Sequence, residues 1–284
     1  MPARVRYFTD PACSWSWAAE PFVRRLMWEF GASLSFTWVM GGLARDYTSR
    51  KGVYDWLLAH WLEVGAETRM PIDPLLWKEA PIASTYPACM AVKAAQEQAD
   101  DGGYRYLRTV REGLLCRRRK LDTTESLVEA AREAGLNVER FRIDLASHAI
   151  VEAFGNDLEA TRSVPDAARE ADKVTRAHGS GERVVFPSAV FSGQDGTDHG
   201  AFGFADYHEL RAAAIAAGAK PAVGPDERPT VQEALKRFGR MATREVEEVC
   251  RLPEPRAQAE LWRLAADWEV KPVRVVTGWL WELA

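Results

Sequence analysis

The sequence predicts an α/β fold with a β-α-β start, a long helical insertion, a return to strands, and a small tail of helices and a hairpin. Three observations carry that reading. Two short runs rich in β-branched and aromatic residues, at 5–9 and 34–40, bracket a segment with helical spacing at 13–30. A stretch from about 47 to 178 then spaces its apolar residues as helices do. Strand character returns in "VVFPSAVF", residues 184–191, followed by a Gly-rich turn and a closing helix.

Each element has its own justification. Residues 5–9 read as a buried strand leading into Asp10-Pro11, and the next segment places Trp17, Phe22, Leu26 and Phe30 at helical spacing. Pro21 should bend that helix, because proline removes an internal hydrogen bond. "LSFTWVM" is the second strand, stopped by Gly41-Gly42. Within the insertion, Pro87 suits the first turn of the helix "PACMAVKAAQEQA", and Tyr104, Leu107, Val110 and Leu114 mark the next one. Asp122 and Glu125 read as a capping pair, Gly135 closes "TESLVEAAREAG", and Asn137 caps a short helix around Phe141. Pro187 stands inside an otherwise good strand, which places it at an edge, a bulge or a special peptide bond. "SGQDGTDHGAFG" reads as a hairpin, and "ADYHELRAAAIAAG" as a helix ended by Gly218.

"KPAVGPDERP" has the composition of a linker and sets a boundary at 219–229, between a first domain over 1–218 and a second over 230–284. In the second, two helices flank Pro253 and Pro255, with Leu261, Leu264, Ala265 and Trp268 on one face of the later one. A hairpin turning at Gly278 completes a winged-helix-like outline. Residues 225–284 hold ten Lys/Arg against eleven Asp/Glu, so the basic face of a DNA reader is missing and an accessory interaction domain is expected.

Composition narrows the function. With 284 residues, 47% hydrophobic and 27% charged, the chain can bury a full core in one large domain or two smaller ones. A net charge of −4 argues against nucleic acid or an anionic membrane as the main partner. The start, "MPARVRYFTDP", lacks the apolar run of a signal peptide, and no segment reaches the length of a membrane span, so a cytoplasmic protein is expected. Cys13, Cys89, Cys116 and Cys250 lie too far apart for a zinc site or a small disulfide scaffold, which fits a reducing compartment. The histidines, His60, His148, His178, His199 and His208, show no metal spacing, so no metal is expected. Among eleven tryptophans, Trp56, Trp61 and Trp77 cluster; bulk packing is the first reading and a peptide groove the second. The basic run "CRRRKLD" reads as a solvated surface, and Asp195, Asp198 and His199 as parts of a turn.

The motifs "DPACSWSW" and "VVFPS", with helices between them, resemble the DsbA branch of the thioredoxin superfamily. In that branch the active-site cysteine opens the first helix and a cis-proline loop faces it. The runs "YPACMAVKAAQEQADDGGYRYLRTVREGLL", "REAGLNVERFRIDLAS" with "AFGNDLEATRSV", and "FGRMATREVEEV" are similar to the bacterial adaptors that present the regulator Spx to the ClpXP protease, themselves DsbA-like. The turn at Cys13-Ser14-Trp15-Ser16 is also similar to that of kappa-class glutathione transferases and hydroxychromene-carboxylate isomerases. Two departures stand out: Ser16 replaces the second cysteine, and "SGERVVF" before Pro187 is longer and differently composed than the resemblance implies.

The expected site is therefore a lone thiol. A cysteine at a helix start should have its thiolate favoured by unpaired N–H groups and the helix dipole. Cys13 could attack a disulfide, but Ser16 cannot release the mixed disulfide as a second thiol would. Resolution then falls to glutathione as co-substrate, to another outside thiol, or to Cys89 or Cys116; without it the groove only binds peptides. Ser16 is expected to donate a hydrogen bond to the thiolate. The resemblance implies that Pro187 is cis and that Phe186 offers an extended edge to a bound peptide or glutathione. Trp15 and Trp17 are expected to border the site, one of them packing in the core. Two functions follow: a monothiol oxidoreductase acting on glutathione or protein thiols and disulfides with no bound cofactor, or a non-enzymatic adaptor joining a protein client to a protease.

Overall fold

The structure, a computed structural model, describes residues 1–98, 102–177, 181–224 and 226–284. Ala99 at the end of one predicted helix, His178 at the predicted end of the insertion, and Pro225 inside the predicted linker lie outside the described residues.

Strand β1 (Ala3–Thr9) begins with buried Ala3 and Val5 alternating with exposed Arg4 and Arg6, then buries Tyr7, Phe8 and Thr9 in succession. Burial on both faces suits its central place in the sheet. The helical segment that follows is two helices, α1 (Ser14–Ala18) and α2 (Glu20–Phe30), joined at Ala19. This corrects the single bent helix expected: Pro21 occupies the first turn of α2, where its missing N–H costs nothing, so the chain breaks just before it. Strand β2 (Leu34–Met40) lies parallel to β1, with Trp38 opposite Tyr7.

The insertion is built from α3 (Val53–Thr68), α4 (Leu76–Glu79), α5 (Tyr86–Gln96), α6 (Gly102–Arg117), α7 (Thr124–Glu133), α8 (Val138–Leu145), α9 (His148–Arg162) and α10 (Asp166–Glu170). Leu107, Val110 and Leu114 are fully buried on the inner face of α6. Asn137 caps α8 by accepting the Arg140 N–H at 2.9 Å, and Gly135 ends the preceding turn at φ +77°. The cap of α7 differs from expectation. Thr123 and Ser126 form it, while Asp122 turns away to accept the Ala83 N–H at 2.8 Å.

A hairpin of β3 (Val174–Arg176) and β4 (Glu182–Val184) precedes β5 (Ser188–Ser192) and β6 (Asp198–Phe202). The single strand predicted over 184–191 is thus interrupted: the Phe186-Pro187 bond is cis, and among the described residues β4 pairs only with β3 while β5 joins the main sheet. That sheet has the order β2-β1-β5-β6, with β5 antiparallel to both neighbours. Helix α11 (Tyr207–Ala216), capped by Asp206, closes this part of the chain.

The tail contains α12 (Val231–Phe238), β7 (Met241–Ala242), α13 (Thr243–Val249), α14 (Glu254–Ala266), β8 (Val270–Val275) and β9 (Gly278–Leu283). It has one helix and one short strand more than predicted, and the sheet order is β7-β9-β8. Val231, Leu235, Val246, Leu261, Leu264 and Trp281 form its own core. Trp268, expected on the apolar face, is instead exposed just after α14 at φ +62°.

The tail is docked through buried charge. Glu20 on α2 accepts from Arg111, from Tyr104 at 2.7 Å and from Arg108 at 3.3 Å. Arg108 in turn makes a two-pronged contact with Glu245 of α13, 2.8 Å on each side. Arg24 adds an ion pair to Glu245 at 3.2 Å and donates to the Arg240 carbonyl at 2.9 Å. Such paired and hydrogen-bonded geometry is the condition under which buried charge is tolerated.

Candidate functional site

The site begins where β1 ends. Asp10 is fully buried and accepts the N–H groups of Ala12 at 2.8 Å and Leu43 at 2.7 Å. The Cys89 thiol donates to the same carboxylate at 3.3 Å. Burial pushes the Asp10 carboxyl up, against the pull of these donors.

This turn delivers Cys13 as the N-cap of α1. Its sulfur accepts the Ser16 N–H at 3.3 Å, the role a serine or aspartate oxygen commonly takes. The same sulfur lies 3.8 Å from the Phe186 carbonyl, so the cis-proline loop faces the cysteine. Gly41 makes that packing possible: a Cβ there would fall 1.9 Å from the Phe186 ring.

The thiol does not have the lowered pKa expected of a helix-opening cysteine. Cys13 is 6% exposed, and burial pushes its thiol above the ordinary value. Hydrogen bonding from Ser16 and the charge of Arg111 work in the opposite direction, while the Asp10 charge adds to the rise. The physical reason is that α1 is only five residues long and the desolvation around it outweighs its few free N–H groups. The Ser16 hydroxyl is buried and has no hydrogen-bond partner among the described residues in the resting state. A thiolate at Cys13 would give it one.

The two cysteines that could stand in for the missing partner each hold a hydrogen bond of their own. Cys89 is held by Asp10, and Cys116 donates to the Pro71 carbonyl at 3.3 Å. All four cysteines are free and buried, and only Cys13 lines the adjoining cavity.

That cavity is an open groove of about 920 Å³. Trp15, Trp56, His60, Trp61 and Phe204 form an aromatic wall, with Trp56 stacked on His60 at 5.0 Å and Trp15 against Phe204 at 5.1 Å. Trp56 is 59% exposed although large and apolar, Trp61 is buried but reaches the groove wall, and Trp77 is buried in the core. The expected tryptophan cluster thus divides between packing and groove. Phe186 lines the groove; Ser16 and Pro187 lie buried behind it. Trp15 borders the site, and Trp17 is the core member of the pair, its indole N–H bonded to the Pro71 carbonyl at 2.9 Å.

Sequence reasoning missed the cations of this groove. Arg183 lies over the Phe186 ring at 4.1 Å, and a thiolate at Cys13 would interact favourably with its charge. Arg50, Lys173 and Arg176 also line the groove. The one signal was the unusual composition of "SGERVVF", which supplies Arg183 and β4; nothing local marked Arg50. The basic run near Cys116 stays at the surface, with Arg118 paired to Asp73 and Glu79 and Arg117 and Arg119 to Glu133. Asp195 and Asp198 serve the β5–β6 turn and an ion pair to Arg6. Among the described residues no group of three His, Cys, Asp or Glu side chains gathers as a metal site, and no helix is long and apolar enough to cross a membrane.

A cysteine capping the first helix after β1, a facing cis-proline and a helical insertion between the strand pairs define a DsbA-type thioredoxin fold. The chain belongs to the thioredoxin family: the family model described as "Thioredoxin" matches residues 7–165. It is similar to the ClpXP adapter protein SpxH of Bacillus subtilis, 23% identical over 283 residues, covering 99% of this chain and 89% of the relative. The SpxH of Halalkalibacterium halodurans is 31% identical over 169 residues, 57% of this chain and 55% of the relative, so that match spans about half of each. A solved structure from Nitrosomonas europaea, assigned provisionally as a protein disulfide isomerase, superposes with a TM-score of 0.61 at 18% identity, over 76% of this chain and 97% of that one.

Proposed function

We propose that this protein captures disulfides at Cys13 from a peptide segment laid in the groove against Phe186, acting as a monothiol oxidoreductase. The observation that carries the reading is the Cys13 sulfur itself, 3.8 Å from the Phe186 carbonyl in the wall of an open groove that no second cysteine lines. In the forward step the Cys13 thiolate attacks one sulfur of a disulfide; a Cys13–sulfur bond forms, the old sulfur–sulfur bond breaks, and the other half leaves as a thiolate. An outside thiol, with glutathione the expected one, then attacks the mixed disulfide, leaves as part of a new disulfide and returns Cys13 to the thiol. Ser16 and Arg183 favour the transient thiolate by hydrogen bonding and charge. Such chemistry belongs in a reducing compartment such as the cytoplasm.

The test is intact mass measurement after exposure to glutathione disulfide. A single glutathione adduct on the wild type, absent in Cys13→Ser and removed by excess glutathione, is expected. A wild type that stays unmodified while unfolded protein reacts would overturn the reading.

A second reading is favoured by one observation, the alignment of 99% of the chain with a relative named as a ClpXP adapter. Here the groove or the tail binds a client and no turnover is needed. Reconstituted ClpXP degrading a candidate client faster with the chain present, and equally fast with Cys13→Ser, would select this reading over the first.

A further inference from the structure

The groove gathers several cations that no carboxylate of the chain's described residues neutralises. Several arginines elsewhere on the surface close on carboxylates: Arg69 on Glu247 and Glu254, half-buried Arg118 on Asp73 and Glu79, Arg169 on Glu182. Four cations around the groove have no carboxylate partner within the chain's described residues: Arg50, Lys173, Arg176 and Arg183. Arg176 faces Glu182 across the β3–β4 hairpin, yet that carboxylate goes to Arg169. Arg183 donates only to the Val184 carbonyl, at 2.8 Å, and lies over Phe186. Two acidic residues, Glu67 and Asp172, also line the groove, leaving the cations in excess by two (four minus two). The whole chain carries −4, so this local excess runs against the global balance.

We propose that the groove selects an acidic peptide, whose carboxylates pair with Arg50, Lys173, Arg176 and Arg183 while its apolar side chains rest on Trp15 and Trp56. The inference rests on the reading that a peptide lies beside Cys13, and it adds the chemistry by which that peptide is recognised. The arrangement suits an extended segment. Aromatic side chains line one wall for apolar residues, and the cations stand on the insertion side and on the β3–β4 hairpin, where alternate acidic residues can reach them. Guanidinium groups match carboxylates in two-pronged geometry, so three arginines discriminate more sharply than a diffuse positive field would.

The experiment is fluorescence anisotropy with the full wild-type chain and two labelled peptides containing no cysteine. One alternates Asp or Glu with Leu and Phe; the other replaces each acid by Asn or Gln. Leaving out sulfur makes the result independent of thiol chemistry. Several exposed ion pairs at a few-fold each predict binding of the acidic peptide roughly tenfold tighter at low salt. The preference should shrink as salt rises from about 0.05 to about 0.5 M, since screening acts on exposed pairs. The double variant Arg50→Gln/Arg176→Gln, both sites exposed, should abolish most of it with the circular dichroism unchanged. Equal binding of the two peptides, or tighter binding of a single-stranded oligonucleotide or of free glutathione than of the acidic peptide, would overturn the inference. Equal peptide binding together with a normal glutathione adduct at Cys13 would locate the failure in the charge selection and leave the disulfide-capture reading standing.

Discussion

At the scale of the residue, Cys13 shows two physical effects in competition. A helix start favours its thiolate, and burial opposes it; burial wins, so the free thiol is the resting form. The sign is fixed by chemistry: the charged form is the disfavoured one, so proton loss moves to higher pH. Alkylation of Cys13 should keep accelerating above pH 9, past the ordinary thiol range of about 8.5, and a plateau near neutral pH would contradict this. Ser16 offers a second residue-scale prediction. Its place in the first turn, with its N–H on the Cys13 sulfur at 3.3 Å, is where a resolving thiol would stand. Ser16→Cys should convert the stable glutathione adduct into an internal disulfide with release of glutathione, seen as loss of the adduct mass. Persistence of the adduct would show that the two positions cannot approach in the mixed disulfide.

At the scale of the element, the site depends on a loop pressed against the end of a strand. Gly41 follows β2 and donates its N–H to the Thr9 carbonyl at 2.7 Å, with the Phe186 ring packed on its bare Cα. Gly41→Ala should cost about 1–3 kcal/mol, the usual range for overpacking, read from urea unfolding, and should change the access of reagents to Cys13 by displacing Phe186. A stability within error of the wild type would show that the ring moves freely. Remote caps should behave differently: Asn137→Ala should cost about 1 kcal/mol without changing Cys13 reactivity, because α8 does not line the groove. The glycine pair after β2 and the asparagine before α8 were both legible as local signals. The division of 13–30 into two helices and of 184–191 into two strands was less so, since each break is decided by what packs on either side of a proline.

At the scale of the whole molecule, the tail and the thioredoxin part share one buried ion network. Glu245 of α13 receives Arg108 and Arg24, both nearly inaccessible to water. Glu245→Ala should therefore cost about 3–5 kcal/mol, the range for leaving buried charge unpaired, measured by chemical denaturation. A loss below about 1 kcal/mol, typical of exposed pairs, would show the network to be hydrated. The pH dependence follows from Glu20. Burial raises its carboxyl, but Arg111, Arg108 and Arg24 outweigh that and hold it below the ordinary 4.5. A carboxyl lowered on folding stabilises above its unfolded value, and that contribution is lost as pH falls through the folded one. Stability should thus decline below about pH 4.5 and should decline less in Glu20→Gln, compared at equal temperature.

By itself the sequence determined the fold class, the place of Cys13 at a helix start, the proline that faces it and the absence of a resolving thiol at Ser16. The α/β order and the helix start at Cys13 follow from short-range rules of period and turn residues, whereas the facing of Pro187 and the missing thiol at Ser16 were what the family resemblance implied. The tertiary structure alone decided the protonation of Cys13, because desolvation sums over atoms brought from β1, α1 and the loop before β5. It likewise decided which tryptophans face the groove, that Arg50 and Arg183 gather there from opposite ends of the insertion, and that Glu245 completes a charge cluster begun at Glu20. Arg108 and Glu245, for example, lie 137 residues apart in the chain, and only packing makes them neighbours.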